Sequence, residues 1–280
     1  MSSAQFCPLS KLEKILVATD RSIFSEAAVR EAINFAKKCS SSLYVMSVLE
    51  TNPEYETIGG SAYQKEEKEA TQYLVTVKKR AYEEGVYHCE AFLHFGEEPY
   101  QLIINEASSK GVDMIVVGRH GRSGLMKVLM GQVAAKVIGH SPCKVLVVPK
   151  EAEIEFRTIL IATDGSTHST AAASEAIGIA KRSDSKVIAV SVIGVEADKE
   201  VANEYVNRII SLARRENVPA EALTPIGKPN ESIVEIAGGR GVDLIVMGTY
   251  GKTGFKKFLM GSTTEKVVGH ANCAVLVVRA

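Results

Sequence analysis

The sequence predicts an α/β protein made of two copies of one domain, each a mostly parallel sheet with helices on both faces. Three observations predict it: an internal repeat one domain long, short apolar runs alternating with helical patterns, and an acid and a glycine loop at the ends of corresponding runs. At 280 residues with 46% apolar content, the chain exceeds the roughly 150 residues of one average domain. Each half is long enough to bury its own core.

An internal repeat organises the whole chain. Lys14-Ile-Leu-Val-Ala-Thr-Asp20 returns as Thr158-Ile-Leu-Ile-Ala-Thr-Asp164, and Glu31-Ala-Ile33 as Glu175-Ala-Ile177, at an offset of 144. Later the offset is 130: Gly111–Gly118 matches Gly241–Gly248, and Cys143–Val148 matches Cys273–Val278. About 14 extra residues therefore belong to the first copy, and Pro53, Gly59 and Gly60 place them as a loop in Thr51–Gln64. The period is too long for a solenoid. The expected domains are residues 11–150 and 155–280, joined near Pro149–Phe156.

Each element follows from its spacing. Lys14–Ala18 and Leu43–Val48 are apolar and strand-length, whereas Ala28, Ala32, Phe35, Ala36 and Cys39 recur at helical spacing, as do Ala172, Ala176, Ile179 and Ala180. A second helix carries Ala70, Tyr73, Leu74, Val77 and Ala81, echoed by Ala202, Tyr205, Val206, Ile209 and Ala213; strands follow near Glu90–Phe95 and Glu221–Ile226. Helix Tyr100–Lys110, strand Asp113–Val117, a glycine loop, helix Gln132–Gly139 and strand Lys144–Val148 complete the first copy. Unbroken apolar strands alternating with helices form parallel sheets covered on both faces. Ligands of such sheets sit beyond the strand C-terminal ends.

Charge and composition narrow the partners. The 33 Lys and Arg balance 33 Asp and Glu, with no excess in either half, so no electrostatic case for nucleic acid or an anionic membrane arises. The longest apolar runs, such as Met114–Gly118 and Val145–Val148, fall far short of the ~20 residues of a membrane span. Met1–Lys14 lacks the apolar stretch of a signal peptide. Cys7, Cys39, Cys89, Cys143 and Cys273 form no CxxC pair and are odd in number. The expectation is reduced thiols in a cytoplasmic protein.

Two features fall at the predicted strand ends. After the first strand stand Asp20-Arg-Ser22 and Asp164-Gly-Ser166; after the fourth stand Gly118-Arg-His-Gly121-Arg-Ser-Gly124 and Gly248-Thr-Tyr-Gly251-Lys-Thr-Gly254. Gly261-Ser262 opens the next helix, where free amides and the helix dipole favour a phosphate. Gly-Lys-Thr is not a P-loop, since Val246 occupies the position of that motif's first glycine. The dinucleotide fingerprint fails as well, because Asp20-Arg-Ser and Asp164-Gly-Ser fill the first strand-to-helix turns.

Strand-Asp-Gly-Ser, Gly-x2-Gly-x9-Gly-Ser and a closing Cys-x-Val-Leu-Val-Val strand, in order and twice over, resemble the universal stress protein family in its tandem two-domain form. The resemblance spans nearly all of residues 11–280. It implies two tandem flavodoxin/HUP-like domains, each a five-stranded parallel sheet, and binding of ATP or AMP, with Mg2+ accompanying ATP. It also implies a stress-response role, a last strand pairing across a dyad, here between the two domains as an intrachain pseudo-dimer, and a homodimer of the whole chain. Position by position, Ala162, Thr163 and Asp164 line the adenosine pocket, and Val192 holds the adenine. Met247, Gly248, Thr249 and Gly251 flank the ribose and α-phosphate, and Gly261, Ser262, Thr263 and Thr264 hold the remaining phosphates. The first copy keeps Asp20, Val48, Gly118, Gly121 and Gly131, but has Arg21 for the glycine and Gln132 for the hydroxyl residue. The second site is thus expected to bind better, although a cation at Arg21 adds phosphate affinity.

Plainer roles compete with these. The glycines serve tight turns, and Asp20 and Asp164 cap helices beginning near Ser22 and Ser166. Cys143 and Cys273 open apolar strands and read as buried inert thiols. Strand alternation separates Cys89 from His88 and His94, so no metal site is expected. His120, aligned with Tyr250, reads as a solvated loop residue. Lys252 and Arg122 align beside the phosphate site and are candidate phosphate contacts, while Lys127, Lys256 and Lys257 read as a solvated face. The charge run Lys65–Glu69 reads as an exposed helix face. With no paired acid and base and no carboxylate cluster for a metal, a regulatory binding protein is expected rather than an enzyme. The alternatives are slow ATP hydrolysis or adenylyl transfer, and a nucleotide-free dimerising module.

Overall fold

A computed structural model describes residues 7–51, 60–121, 130–251 and 260–280. The first half runs β1 (Lys14–Ala18), α1 (Glu26–Cys39), β2 (Ser42–Glu50), α2 (Gly60–Glu83), β3 (Cys89–Gly96), α3 (Pro99–Lys110), β4 (Met114–Gly118), α4 (Gln132–His140) and β5 (Lys144–Val148). The second repeats it as β6 (Thr158–Ala162), α5 (Thr167–Ser183), β7 (Lys186–Val190), α6 (Lys199–Arg215), β8 (Ala220–Leu223), α7 (Pro229–Gly239), β9 (Leu244–Gly248), α8 (Ser262–His270) and β10 (Ala274–Val278). No helix among the described residues is long and apolar enough to cross a membrane.

The strands form a single ten-stranded sheet in the order β3-β2-β1-β4-β5-β10-β9-β6-β7-β8. Pairing is parallel within each half, which gives the expected five-stranded unit twice. At the centre β5 and β10 pair antiparallel, Val147 opposite Val275 and Val145 opposite Val277. The closing strand of each half thus removes the other's exposed edge. Because that one pair is antiparallel, the strand C-terminal ends of the two halves lie at opposite edges of the sheet.

Two apolar layers cover it. One gathers Ile15, Val17, Val45, Val116, Ile161 and Val246 beneath α1, α2, α5 and α6; the other gathers Leu16, Met46, Ile115, Leu160 and Ile245 beneath α3, α4, α7 and α8. The strands are buried on both faces, which is why they read as unbroken apolar runs. Between the halves, Lys144 pairs with Glu175 at 2.8 Å, Phe35 meets Phe156 edge-on at 5.6 Å, and Arg182 donates to the Pro8 carbonyl at 2.9 Å.

Several expectations change here. Gly60–Gln64 belong to α2, so only residues 52–59 of the expected loop fall outside the described residues. The helical pattern of α2 extends back past its charged run, and the glycine serves as the start. Strand β8 ends at Leu223, because Pro225 interrupts the ladder and Ile226 keeps a single bridge to Ile193. The expectation of five reduced thiols is overturned: Cys7 and Cys39 form a disulfide, with Cα atoms 4.4 Å apart. The N-terminal segment, anchored by buried Leu9 and Leu12, turns back to the last residue of α1. Nothing in the residue spacing foretells that return.

Candidate functional site

The two loops meet in each half as their positions in the sheet require. Two residues past β1 stands Asp20, whose Oδ1 accepts the Ser22 amide at 3.1 Å and the Ser22 hydroxyl at 2.7 Å. Asp164 accepts the Ser166 amide at 3.1 Å. Both acids therefore fold turns and do not cap helices: α5 is capped by Ser166, whose hydroxyl accepts the Ser169 amide at 3.2 Å, and α1 starts later, at Glu26. The correction follows from the turn, since a side chain bonded two residues on is unavailable to the helix start.

Facing each acid is the glycine loop. A Cβ at Gly121 would stand 3.3 Å from Asp20 Oδ2, and one at Gly251 would stand 2.5 Å from Asp164 Oδ2. Gly118 and Gly248 have a packing reason of their own. A Cβ would fall 2.8 Å from the Phe24 carbonyl in one half and 2.7 Å from His168 in the other, so the chain passes there only without a side chain. The loop then closes on the next helix: the Gly131 amide donates to Arg119 at 2.8 Å and the Gly261 amide to Thr249 at 2.9 Å. Gly131 and Gly261 take matching extended conformations as N-caps, and neither α4 nor α8 has a side-chain cap. Because each N-cap is a glycine, the first-turn amides of both helices have no capping side chain at that position, a setting that favours an anion.

In the first half these parts enclose a cavity of about 700 Å3, within the range of small-molecule sites. Asp20, Val48, Gly118, Gly121, Gly131 and Gln132, the six positions named from the sequence, all line it. So does Arg21, the cation expected beside this site, together with Glu66 and Arg119, which composition and spacing did not point to. Arg21 has φ 67°, the conformation that Gly165 takes at φ 73° in the second half. Its guanidinium, 7% exposed, pairs with Glu66 at 3.0 Å. Glu66 belongs to the charge run expected on an exposed face, yet it is half-buried against Arg21, because it lies one helical turn before Ala70 on the apolar face of α2. Gln132 is exposed at its position in the cavity lining.

The second half has the same frame filled differently. Val192 lies two residues past β7, and Ala162 and Met247 are buried in the layer under α7 and α8. The Thr249 hydroxyl donates to Val278 at 3.1 Å and the Thr264 hydroxyl to Gly248 at 2.9 Å, so both fasten strand ends. Thr163 reaches Ser169 Oγ at 3.1 Å, Ser262 is exposed and Thr263 half-buried beside Gly261. The Tyr205 ring lies over Gly165, where a Cβ would come within 2.5 Å of it. Lys252, with Arg122, Lys127, Lys256, Lys257, Gly124 and Gly254, lies outside the described residues.

The remaining candidates resolve as follows. His88 pairs with Glu90 at 3.1 Å and His94 with Glu106 at 3.5 Å, while Cys89 is buried, so the three do not converge. Burial pushes the Cys89 thiol up to about 11 and the Cys273 thiol up to about 12, and raises Cys143. His120 packs against Phe24 at 6.2 Å, as Tyr250 packs against His168 at 5.5 Å. The aligned positions thus form a ring pair with its members exchanged.

Two doubly wound α/β domains, joined through their last strands and each bearing an acid turn opposite a glycine loop, define a tandem class of α/β protein. The universal stress protein family profile matches residues 11–149 and again 155–279, and the chain belongs to that family. A universal stress protein of Methanocaldococcus jannaschii is 37% identical over 146 residues, 46% of this chain and 86% of that protein. A Staphylococcus aureus relative is 35% identical over 142 residues, 45% of this chain and 86% of its own. The crystal structure of a universal stress protein from Archaeoglobus fulgidus superposes over 96% of this chain and 99% of its own, with TM-score 0.76 at 20% identity, sharing the tandem fold.

Proposed function

We propose that this universal stress protein is a regulatory binder of adenine nucleotide, ATP or AMP, with one site in each domain. The observation that carries this reading is the pair of helices, α4 and α8, that begin without side-chain caps beside an acid turn. The amides are the anion-binding element, with the helix dipole behind them. Asp20 and Asp164, at the far side of the loop pair, offer acceptors for hydroxyl or amino groups of a nucleoside. Mg2+ accompanies ATP when that is the occupant.

The second site binds more tightly in this proposal, because Ser262 adds a hydroxyl donor where the first copy has Gln132. Ligand binding biases one conformation or partner surface by the difference in affinity between states. The protein acts in the cytoplasm as a homodimer of the tandem chain. The test is direct: denature purified protein, resolve released small molecules by HPLC, then follow ADP formation from added ATP and Mg2+. Bound adenylate without turnover supports the proposal. Rapid turnover would make it an enzyme, and neither nucleotide nor uptake would make it a nucleotide-free module.

A further inference from the structure

The antiparallel β5–β10 pair sets the two sites at opposite edges of the sheet and gives the helices between them a second role. Helix α8 begins at the second site, at Gly261, and ends at Ala271 on the edge where the first site opens. Helix α4 begins at the first site and ends at Ser141 on the edge of the second. At each far end an arginine of the other domain takes the terminal carbonyl. Arg119 Nη1 donates to Ala271 at 2.6 Å, and Arg279 Nη1 donates to Ser141 at 3.1 Å.

These two contacts sit at equivalent carbonyls but come from unrelated positions. Arg279 follows β10 and aligns with Pro149, whereas Arg119 belongs to the glycine loop and lines the first cavity. Its counterpart in the second copy is Thr249, a neutral residue tied to Val278. Arg119 Nε is buried without a hydrogen-bond partner, and burial lowers its pKa. The guanidinium's one hydrogen bond to a described residue ends on the neutral Ala271 carbonyl, a weaker partner for it than an anion.

Resting on the nucleotide reading above, we propose that Arg119 couples the sites: a phosphate-bearing ligand in the first cavity draws its guanidinium from the Ala271 carbonyl and weakens anion binding at the start of α8. The sign follows from the structure. Arg119 Nη1 is committed to the Ala271 carbonyl, and an anion in the first cavity is the stronger partner for a guanidinium, so a ligand that engages it does so at the expense of that bond. A cation at the C-terminal end of α8 attracts an anion at the other end, about 13 Å away across nine residues, through a partly buried path. Losing that cation costs the second site about two- to fivefold in affinity, and linkage returns the same factor to the first. Arg119 is a positioning residue in this scheme.

The experiment titrates ATP into full-length protein by calorimetry. Gly131→Val disables the first site by placing a branched side chain over the start of α4 at a position that lines the cavity, with its Cβ in ordinary contact with Arg119 and Gly121 at 3.4 and 3.5 Å. With Arg119 present, disabling the first site raises second-site affinity about two- to fivefold relative to the doubly occupied protein, and added salt shrinks the difference. In Arg119→Met protein the second-site affinity is lower and no longer responds to Gly131→Val; Arg119→Lys, which keeps the charge, gives a partial response. Arg279→Met, which removes the mirror contact, leaves the coupling intact and controls for a general loosening of the interface. Independent sites in the wild type, tighter second-site binding when the first is filled, or coupling that survives Arg119→Met would overturn the proposal. Absence of ATP binding in every variant would instead refute the nucleotide reading, and this inference with it.

Discussion

The two halves share a backbone and differ in what they place against it. At the turn after the first strand, Arg21 and Gly165 adopt the same left-handed conformation, yet Arg21 sends a buried guanidinium to Glu66 while Gly165 receives the Tyr205 ring. The aligned tyrosine of the first half, Tyr73, reaches Thr19 and Glu26 through its hydroxyl. Burial raises that phenol to about 12. One frame thus gives a cavity ringed by charges in the first half and a loop pair bordered by a ring and hydroxyls in the second. Duplication fixed the glycine-capped helix start twice and left the side chains around it free to diverge.

The largest expected effect tests the one covalent difference. Cys39 is bridged to Cys7, while its counterpart Ser183 hydrogen-bonds Ser185 at 2.6 Å and Ile179 at 2.8 Å. Opening a loop of 32 residues by Cys39→Ser is expected to lower stability by about 3–4 kcal/mol on the chain-entropy estimate. Ser183→Ala should cost about 1 kcal/mol. Denaturant melts under oxidising conditions check both, and equal losses would erase the distinction.

Next is the turn itself. Gly165→Ala places a methyl into the Tyr205 ring and a side chain in the left-handed region, for an expected loss of about 2–3 kcal/mol. Arg21→Gly removes the Glu66 pair but relieves the backbone, so its change in stability stays within about 1 kcal/mol. Thermal unfolding measures the difference, and a larger loss at Arg21 would show that the charged side is the more rigid one.

A smaller effect sharpens the ranking of the sites. Ser262→Ala should weaken ATP binding at the second site by about 1.5 kcal/mol, on the order of tenfold, while Gln132→Ser should strengthen the first by less. Equal responses to changes in the two copies would contradict that ranking. The smallest concerns reactivity: with their thiols raised by burial, Cys89, Cys143 and Cys273 should alkylate slowly in native protein at pH 8 and at ordinary rates once unfolded. Mass spectrometry of iodoacetamide-treated protein reads this.

What the sequence carried well was local or repeated. Strand runs such as Lys14–Ala18 and Lys144–Val148 stand where spacing put them, because both faces of the sheet demand unbroken apolar residues. All six first-copy site positions line one cavity because strand-end residues of a parallel sheet converge. What it hid depends on side chains meeting across distance. Arg21 and Glu66 are 45 residues apart, Arg119 and Ala271 152 apart, and neither pairing leaves a periodic trace. The repeated Gly-Val-Asp likewise gave no hint of its task. Asp113 accepts the Glu13 and Lys14 amides at 2.8 and 2.9 Å, and Asp243 those of Phe156 and Arg157 at 3.0 and 2.7 Å, tying the fourth strand of each half to the start of its first.

The most direct trial of the central claim is calorimetric titration of ATP and AMP into protein first shown to be folded and free of nucleotide. Saturable heat with at least one of them, reduced by Ser262→Ala and accompanied by a rise in Tm, is the predicted result. No heat and no thermal shift at millimolar adenylate would contradict it.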